Sequence, residues 1–258
     1  MQSQNTFAVK RHGTKVSVII PVMNERGTLP DIIREVKKLK PANPEIIVVV
    51  NGSTDGSKEA AQSMGVKVIH FKSPLGHDVG RSVGARHATG DILLFMDGDM
   101  VIPAHELQSF IRAVRRGVDV ALNRYLGKVT ESQVHPVVLA KHALNVVLGR
   151  PDLHGASMTT VPHAISRKAL SIIGPEHLAV PPIAHAAAIL EGLRVEAVHM
   201  VNVGQLNRFR VRKPGRLGTH QLRNLIIGDH VEAIHWLTQK TDDRARYTDL
   251  WRNRNAVR

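Results

Sequence analysis

Val16-Ser17-Val18-Ile19-Ile20-Pro21-Val22-Met23-Asn24-Glu25 is an apolar run broken by proline and followed at once by a polar pair. The β-branched residues predict a buried strand stopped near Pro21. Directly after it, Leu29, Ile32, Ile33, Val36 and Leu39 recur at helical spacing within Thr28 to Leu39, with Asp31 in the first turn. The same strand-then-helix unit repeats outward. Glu45 to Val50 reads as a strand ended by Asn51-Gly52, and Ser57 to Met64 as a helix closed by Gly65. Val66 to Phe71 reads as a third strand, Asp78 to Ala88 as a helix, and Asp91 to Met96 as a fourth strand ending at Asp97-Gly98-Asp99. A helix over Pro103 to Arg115 and a strand over Val118 to Leu122 complete this half. Such alternation implies an α/β fold with a mostly parallel sheet covered by helices on both faces. Ligands of these sheets bind at the carboxyl ends of the strands, where Asn24-Glu25, Asn51 to Asp55 and Asp97 to Asp99 all fall.

The second half is less regular. Glu131 to Leu148 reads as an amphipathic helix, Ser157 to Ser166 as a strand, and Pro182 to Leu190 as a helix. Arg194 to Val203 reads as extended, Asn207 to Arg216 as a basic loop, Leu217 to Thr238 as helix, and the last twenty residues as a polar, frayed tail. The chain of 258 residues has 43% hydrophobic and 22% charged residues, which marks it as globular. It has no Cys, which excludes disulfides, zinc-thiolate sites, iron–sulfur clusters and a cysteine nucleophile. The 35 Lys and Arg against 22 Asp and Glu give a net charge of +13, which calls for an anionic partner: nucleic acid, membrane or phosphorylated substrate. Aromatics at 3% argue against single-strand nucleic-acid recognition. The polar start of the chain and the lack of any run near 20 apolar residues predict a cytoplasmic protein, resting at most on a membrane surface.

Four of these segments together resemble family 2 glycosyltransferases. Ile19 to Glu25 is similar to the opening I-P-x-Y/L-N-E motif, and Val48 to Ser57 to V-D-D/N-G-S-T-D-G-S/T. Gly84-Ala85-Arg86 and Gly90-Asp91 resemble the A-R-N-x-G and G-D/E segments, and Asp97-Gly98-Asp99 the D-x-D motif. The resemblance implies a GT-A fold with a nucleotide-sugar donor half over residues 1–122, an acceptor half of the same domain over 123–240, and a basic tail over 241–258. It implies a divalent Mn²⁺ or Mg²⁺ cofactor at Asp99 and Asp97, which suits hard cations and carboxylate oxygens. The donor side then comprises Pro21, Asn24, Glu25, Asn51, Ser53, Asp55, Arg81, Arg86, Asp97 and Gly98. Arg81 and Arg86 are expected to hold phosphate. Gly76, Gly80 and Gly84 either admit the diphosphate or let the helix pack closely. His154 and Gly155 fall where the family places an acceptor loop.

Three departures stand out. Val50 replaces the usual base-reading acid, leaving the Asn51 amide to meet a base edge. No Asp or Glu lies between Glu176 and Glu191, where inverting members carry an acidic pair, so the candidate bases are His185, Glu176 and His177. Residues 178 to 208 are similar to glucosyl-3-phosphoglycerate synthase-like retaining enzymes, in which the leaving phosphate itself takes the acceptor proton. Where those enzymes have a metal-site histidine this chain has Asn207-Arg208, with His199 and His220 as the nearest substitutes. An active glycosyltransferase with a hydroxyl acceptor, phosphorylated or lipid-linked, is the leading reading. A nucleotide- or glycan-binding scaffold on the same fold is the alternative, and nucleic acid is not expected.

Overall fold

The computed structural model describes residues 14–40, 43–127, 134–206 and 219–257. The basic segment 207–216, including Asn207-Arg208, lies outside them. Strands β1 (Val16–Val22), β2 (Glu45–Asn51), β3 (Lys67–Phe71), β4 (Ile92–Phe95), β5 (Val120–Asn123), β6 (His163–Ser166) and β7 (Val195–His199) form one sheet in the order β3-β2-β1-β4-β6-β5-β7. β1, β2, β3 and β4 are parallel, and β5 runs parallel to β7. β6 is antiparallel to both of its neighbours, with His163 opposite Phe95. The sheet therefore continues across residue 122, and the chain entering β6 arrives over the carboxyl ends of the parallel strands.

Local sequence explains these elements. β1 and β2 are buried along almost their whole length, so they read as apolar runs without alternation. Helix α1 (Leu29–Lys37) buries Leu29, Ile32, Ile33 and Val36. Helices α2 (Ser57–Ser63), α3 (Val79–His87) and α4 (Ala104–Arg115) follow their strands as expected. α3 lies close on the sheet where Gly80 and Gly84 face it. A Cβ at Gly80 would meet Pro21 Cβ at 2.9 Å, and one at Gly84 would meet Ile19 Cγ2 at 2.4 Å. Of the two roles open for these glycines, the structure shows helix packing.

The second half holds α5 (Pro136–Val147), α6 (Arg167–Ile173), α7 (Pro181–Leu190), α8 (Val203–Leu206) and α9 (Thr219–Lys240). The strand expected from Ser157 is shorter. Residues before His163 form turns, because Ser157 Oγ accepts from the Thr159 N–H and bends the chain. The extended stretch from Arg194 stops at His199, since the α8 turn begins at Val203. The C-terminal segment is held rather than frayed: Tyr247 donates to the Val146 carbonyl, and Asp249 pairs with Arg244, Arg252 and Arg254. Among the described residues no helix is long and apolar enough to cross a membrane.

Candidate active site

The loops that follow β1 and β2 are tied into one surface. Asn24, in the left-handed region at φ 58°, donates its N–H to Ser53 Oγ (3.0 Å) and accepts from the Thr54 N–H (2.9 Å). Glu25 N–H donates to Ser57 Oγ (2.9 Å), and Arg26 N–H to Asp55 Oδ2 (2.9 Å). Burial pushes the Asp55 carboxyl up, yet hydrogen bonds from Ser57 and the Arg26 N–H outweigh it and hold the group below its usual range. The oxygens of Ser53 and Asp55 thus serve the loop junction. Asn51 also faces inward: its amide donates to the Gly76 carbonyl (3.2 Å) and its oxygen accepts from the Leu75 N–H. The amide expected to meet a base edge thus has one of its two protons engaged by the 75–76 loop.

Beside this surface, the Asp97-Gly98-Asp99 turn leaves β4. Gly98 presses on β1, for a Cβ there would meet Val22 Cγ1 at 2.5 Å and the Pro21 carbonyl at 3.1 Å. Asp97 is anchored by Arg81, whose Nη2 donates to Asp97 Oδ1 at 3.2 Å and lies 3.1 Å from Asp78 Oδ1. Its Nη1 reaches across to the Met158 carbonyl at 3.3 Å. Arg81 is 3% exposed, so this is a buried bridge between the donor-side loops and the chain entering β6. Burial opposes the Arg81 charge, but Asp78 and Asp97 more than offset it. Burial holds the Asp78 carboxyl above its usual range against the pull of Arg81 and His77. Asp229 on α9 is pushed up to about 6 by burial and then by the Asp78 charge.

Two buried asparagines fix the chain that covers the site. Asn145 of α5 donates to the carbonyls of His154 (2.7 Å) and Ala156 (2.9 Å) and accepts from His185 Nε2 (2.7 Å). Asn123, at the end of β5, donates to the carbonyls of Val161 and Val201, both at 3.1 Å. Lys141 of α5 donates to Thr160 Oγ1 at 2.6 Å. His163 stacks on Phe95, 5.0 Å between centroids, and its pKa falls to about 3 through burial and then the Arg81 charge.

Residues 17–166 match the family model described as glycosyl transferase family 2. The chain belongs to that family. Over 140 residues it is 34% identical to a dolichol-phosphate mannosyltransferase of Pyrococcus furiosus, a match covering 51% of this chain and 40% of the relative. Over 128 residues it is 26% identical to a bactoprenol glucosyl transferase of Shigella phage SfX, covering 46% and 42%. The chain thus spans less than half the length of these curated relatives. Glucosyl-3-phosphoglycerate synthase from Mycobacterium tuberculosis, solved with UDP, superposes with a TM-score of 0.61 at 21% identity, covering 86% of this chain and 81% of that one. The same synthase with Mn²⁺, UDP and phosphoglyceric acid gives 0.62 at 18% identity, covering 86% and 79%. At this identity the likeness concerns the GT-A fold.

Several expected site residues of this family 2 chain lie elsewhere. Arg86 is exposed and pairs with Glu176 Oε2 at 3.7 Å, because residues five apart on a helix do not share a face. That contact places Glu176 at the opposite end of α3 from Arg81, on the surface, away from a catalytic role. His177 turns its Nδ1 to the Ile173 carbonyl (2.5 Å) and its ring to Trp236 (5.7 Å), a packing position. His185 has no exposed surface. Burial first, then neighbouring positive charges led by His230, lower its pKa to about 3, so it is a neutral anchor for Asn145 and not a solvent-facing base. His199 pairs with Glu106 on α4 and packs edge-on to Phe110, and His220 is exposed on the first turn of α9. No cluster of three His, Cys, Asp or Glu able to hold a metal occurs among the described residues, so neither histidine joins Asp97 and Asp99 there. His154 is exposed beside His142, while Gly155 is tightly packed against His142 Nε2 (3.0 Å from a Cβ). Asn145, Asn123, Lys141 and Thr160 went unnoticed in the sequence, because their partners are distant along the chain.

The carboxylates nevertheless suit a divalent cation. Two hard oxygen donors flank Gly98 on one turn. Mg²⁺ sites commonly use one or two carboxylates and complete the shell with substrate phosphate and water. Asp97 and Asp99 would hold the ion in that manner.

Proposed function

We propose that the protein transfers a sugar from a nucleotide diphosphate donor to the hydroxyl of an acceptor, phosphorylated or lipid-linked, with Mn²⁺ or Mg²⁺ at Asp97 and Asp99. The observation that carries this reading is the buried Arg81 bridge, which sets Asp97 at the carboxyl edge of the sheet within a family 2 chain. The relatives, a dolichol-phosphate mannosyltransferase and a bactoprenol glucosyl transferase, support sugar transfer. The UDP- and Mn²⁺-bound structural neighbours support a nucleotide donor. When bound, the cation offsets negative charge on the departing diphosphate.

The chain's own residues do the positioning. Arg81 orients Asp97, Asn51 fixes the 75–76 loop at the donor side, and Asn145 and Asn123 hold residues 154–161 across the site. With His185 buried and Glu176 distant, neither supplies a general base. This favours a retaining reaction, in which the leaving phosphate accepts the acceptor proton. A lipid-linked acceptor would bring the protein to a membrane surface, where a positive net charge is favourable.

The test is transfer or donor hydrolysis across a panel of nucleotide sugars with Mn²⁺. Turnover that Asp99→Asn abolishes supports the proposal. Absence of both turnover and calorimetric binding for every donor overturns it. Val50 is wholly buried and brings no polar atom to the position of the usual base-reading acid. This favours the scaffold as second reading, which predicts donor binding without turnover.

A further inference from the structure

Lys141 is a part-buried ammonium that has no carboxylate partner among the described residues. An ammonium has three donors, and here one is engaged, by Thr160 Oγ1 at 2.6 Å. Burial, and then the charge of Arg81, lower its pKa to about 8, so it remains a cation at neutral pH. The contrast with Arg81 is instructive. Arg81 is the more withdrawn from water, but Asp78 and Asp97 neutralise it. Among the described residues Lys141 has no such acid, although withdrawing a charge from water is costly unless it is paired.

Thr160 is 6% exposed and receives the Lys141 proton on its oxygen, which leaves its own O–H to donate. Thr160 lies two residues after Met158, whose carbonyl binds Arg81. Thr160 therefore belongs to the segment that caps the Asp97 turn, and Lys141 reaches it from α5. That segment is held by Asn145 through His154 and Ala156, and by Asn123 through Val161. Two remaining ammonium protons and one hydroxyl proton, on a fixed segment, form a donor set for a phosphate oxyanion.

We propose that Lys141 and Thr160 form a phosphate-binding subsite for a substrate phosphoryl group. The missing counter-ion is then the substrate itself. The donor's diphosphate and a phosphorylated acceptor both present that chemistry. The inference rests on the glycosyl-transfer reading only for the identity of that substrate.

Calorimetry with the full chain separates the sources. One arm titrates UDP with Mn²⁺ and inorganic pyrophosphate. The other titrates glycerol 3-phosphate, 3-phosphoglycerate, and vesicles carrying a polyprenyl phosphate. Lys141→Met is expected to weaken one arm by about tenfold or more, the usual effect of removing a charge-assisted hydrogen bond. Lys141→Arg should retain most of that affinity, and Thr160→Val should lose a smaller part. Removing an uncompensated cation should also leave the ligand-free Tm unchanged or higher. Lys141→Met binding every probe as tightly as the wild type overturns the subsite, as does a wild-type protein that binds none of them. A lowered Tm with unchanged binding would make Lys141 a structural tether. Wild-type protein that neither turns over nor binds any nucleotide sugar, yet binds a phosphate probe through Lys141, would overturn glycosyl transfer and leave this subsite standing.

Discussion

Replacing Arg81 by Met would strip the buried Asp78 carboxylate of its principal cation. The two side chains are 4% and 3% exposed and lie 3.1 Å apart, and His77, at 3.4 Å, is the remaining neighbour able to carry positive charge. Breaking one side of a buried pair costs about 3–5 kcal/mol, because the surviving charge is left without compensation. In a chain of this size that corresponds to a Tm loss of roughly 6–20 °C. The pH dependence follows from the direction of the Asp78 shift, which is already upward and rises further without Arg81. A carboxyl whose folded pKa exceeds its unfolded value is neutral in both states at low pH and imposes no penalty there. The penalty grows as pH climbs above the unfolded pKa, up to the folded one. Arg81→Met should therefore be damaged more at pH 8 than at pH 5 in thermal or urea melts. Asp78→Asn combined with Arg81→Met should recover most of the loss. Equal losses at both pH values, or a double variant no better than the single, would refute the assignment of Arg81 as the counter-ion of a buried Asp78.

Gly84→Ala would force a Cβ to within 2.4 Å of Ile19 Cγ2 and should cost about 1–3 kcal/mol in urea unfolding, whereas wild-type stability would contradict close helix-to-sheet packing. Arg86→Ala should change stability by less than about 0.5 kcal/mol and leave donor affinity intact, since its partner lies 3.7 Å away on the surface. Asn145→Ala strands the His154 and Ala156 carbonyls and His185 Nε2; a loss of about 2–4 kcal/mol and a KM rise larger for acceptor than for donor are expected, checked by melts and steady-state kinetics. His163 and His185 are held near pKa 3 against 6.5 when unfolded, so the unfolded chain takes up protons first and stability falls as pH drops from 6.5 toward 3. His163→Phe should flatten part of that acid limb in pH-dependent melts.

The elements between Val16 and Asn123 were legible in the sequence because each is decided locally. Apolar runs of strand length, helical spacing in α1, and polar pairs at strand ends all follow from residues within a few positions of each other. The misplacements came from contacts that span the chain. His185 resembled a catalytic candidate, yet the segment Pro181 to Leu190 has no polar face, and a helix apolar all round is buried. That signal was present and pointed to an interior histidine. Arg81 and Arg86 carry the same chemistry, and only their angular separation on α3 tells that one faces Asp97 and the other Glu176. Lys141 gave no local signal. Its significance depends on Thr160 being within reach and on no acid among the described residues pairing with it, which only the tertiary arrangement reveals. The reversed direction of β6 was likewise invisible, since a four-residue strand reads the same whichever way it pairs.

That reversal has an engineering consequence. Donor-side loops leave the carboxyl ends of parallel strands and are locked to one another through Asn24, Ser53 and Asp55. The covering segment instead arrives at β6 from outside the parallel set and is pinned by Asn123 and Asn145, side chains of β5 and α5. Residues 148–162 are therefore expected to be exchangeable between family members as a cassette when Asn123, Asn145, Arg81 and Lys141 keep their contacts to it. Under the proposed glycosyl transfer, the exchange would change the acceptor while the loops around Asp97 keep their original frame.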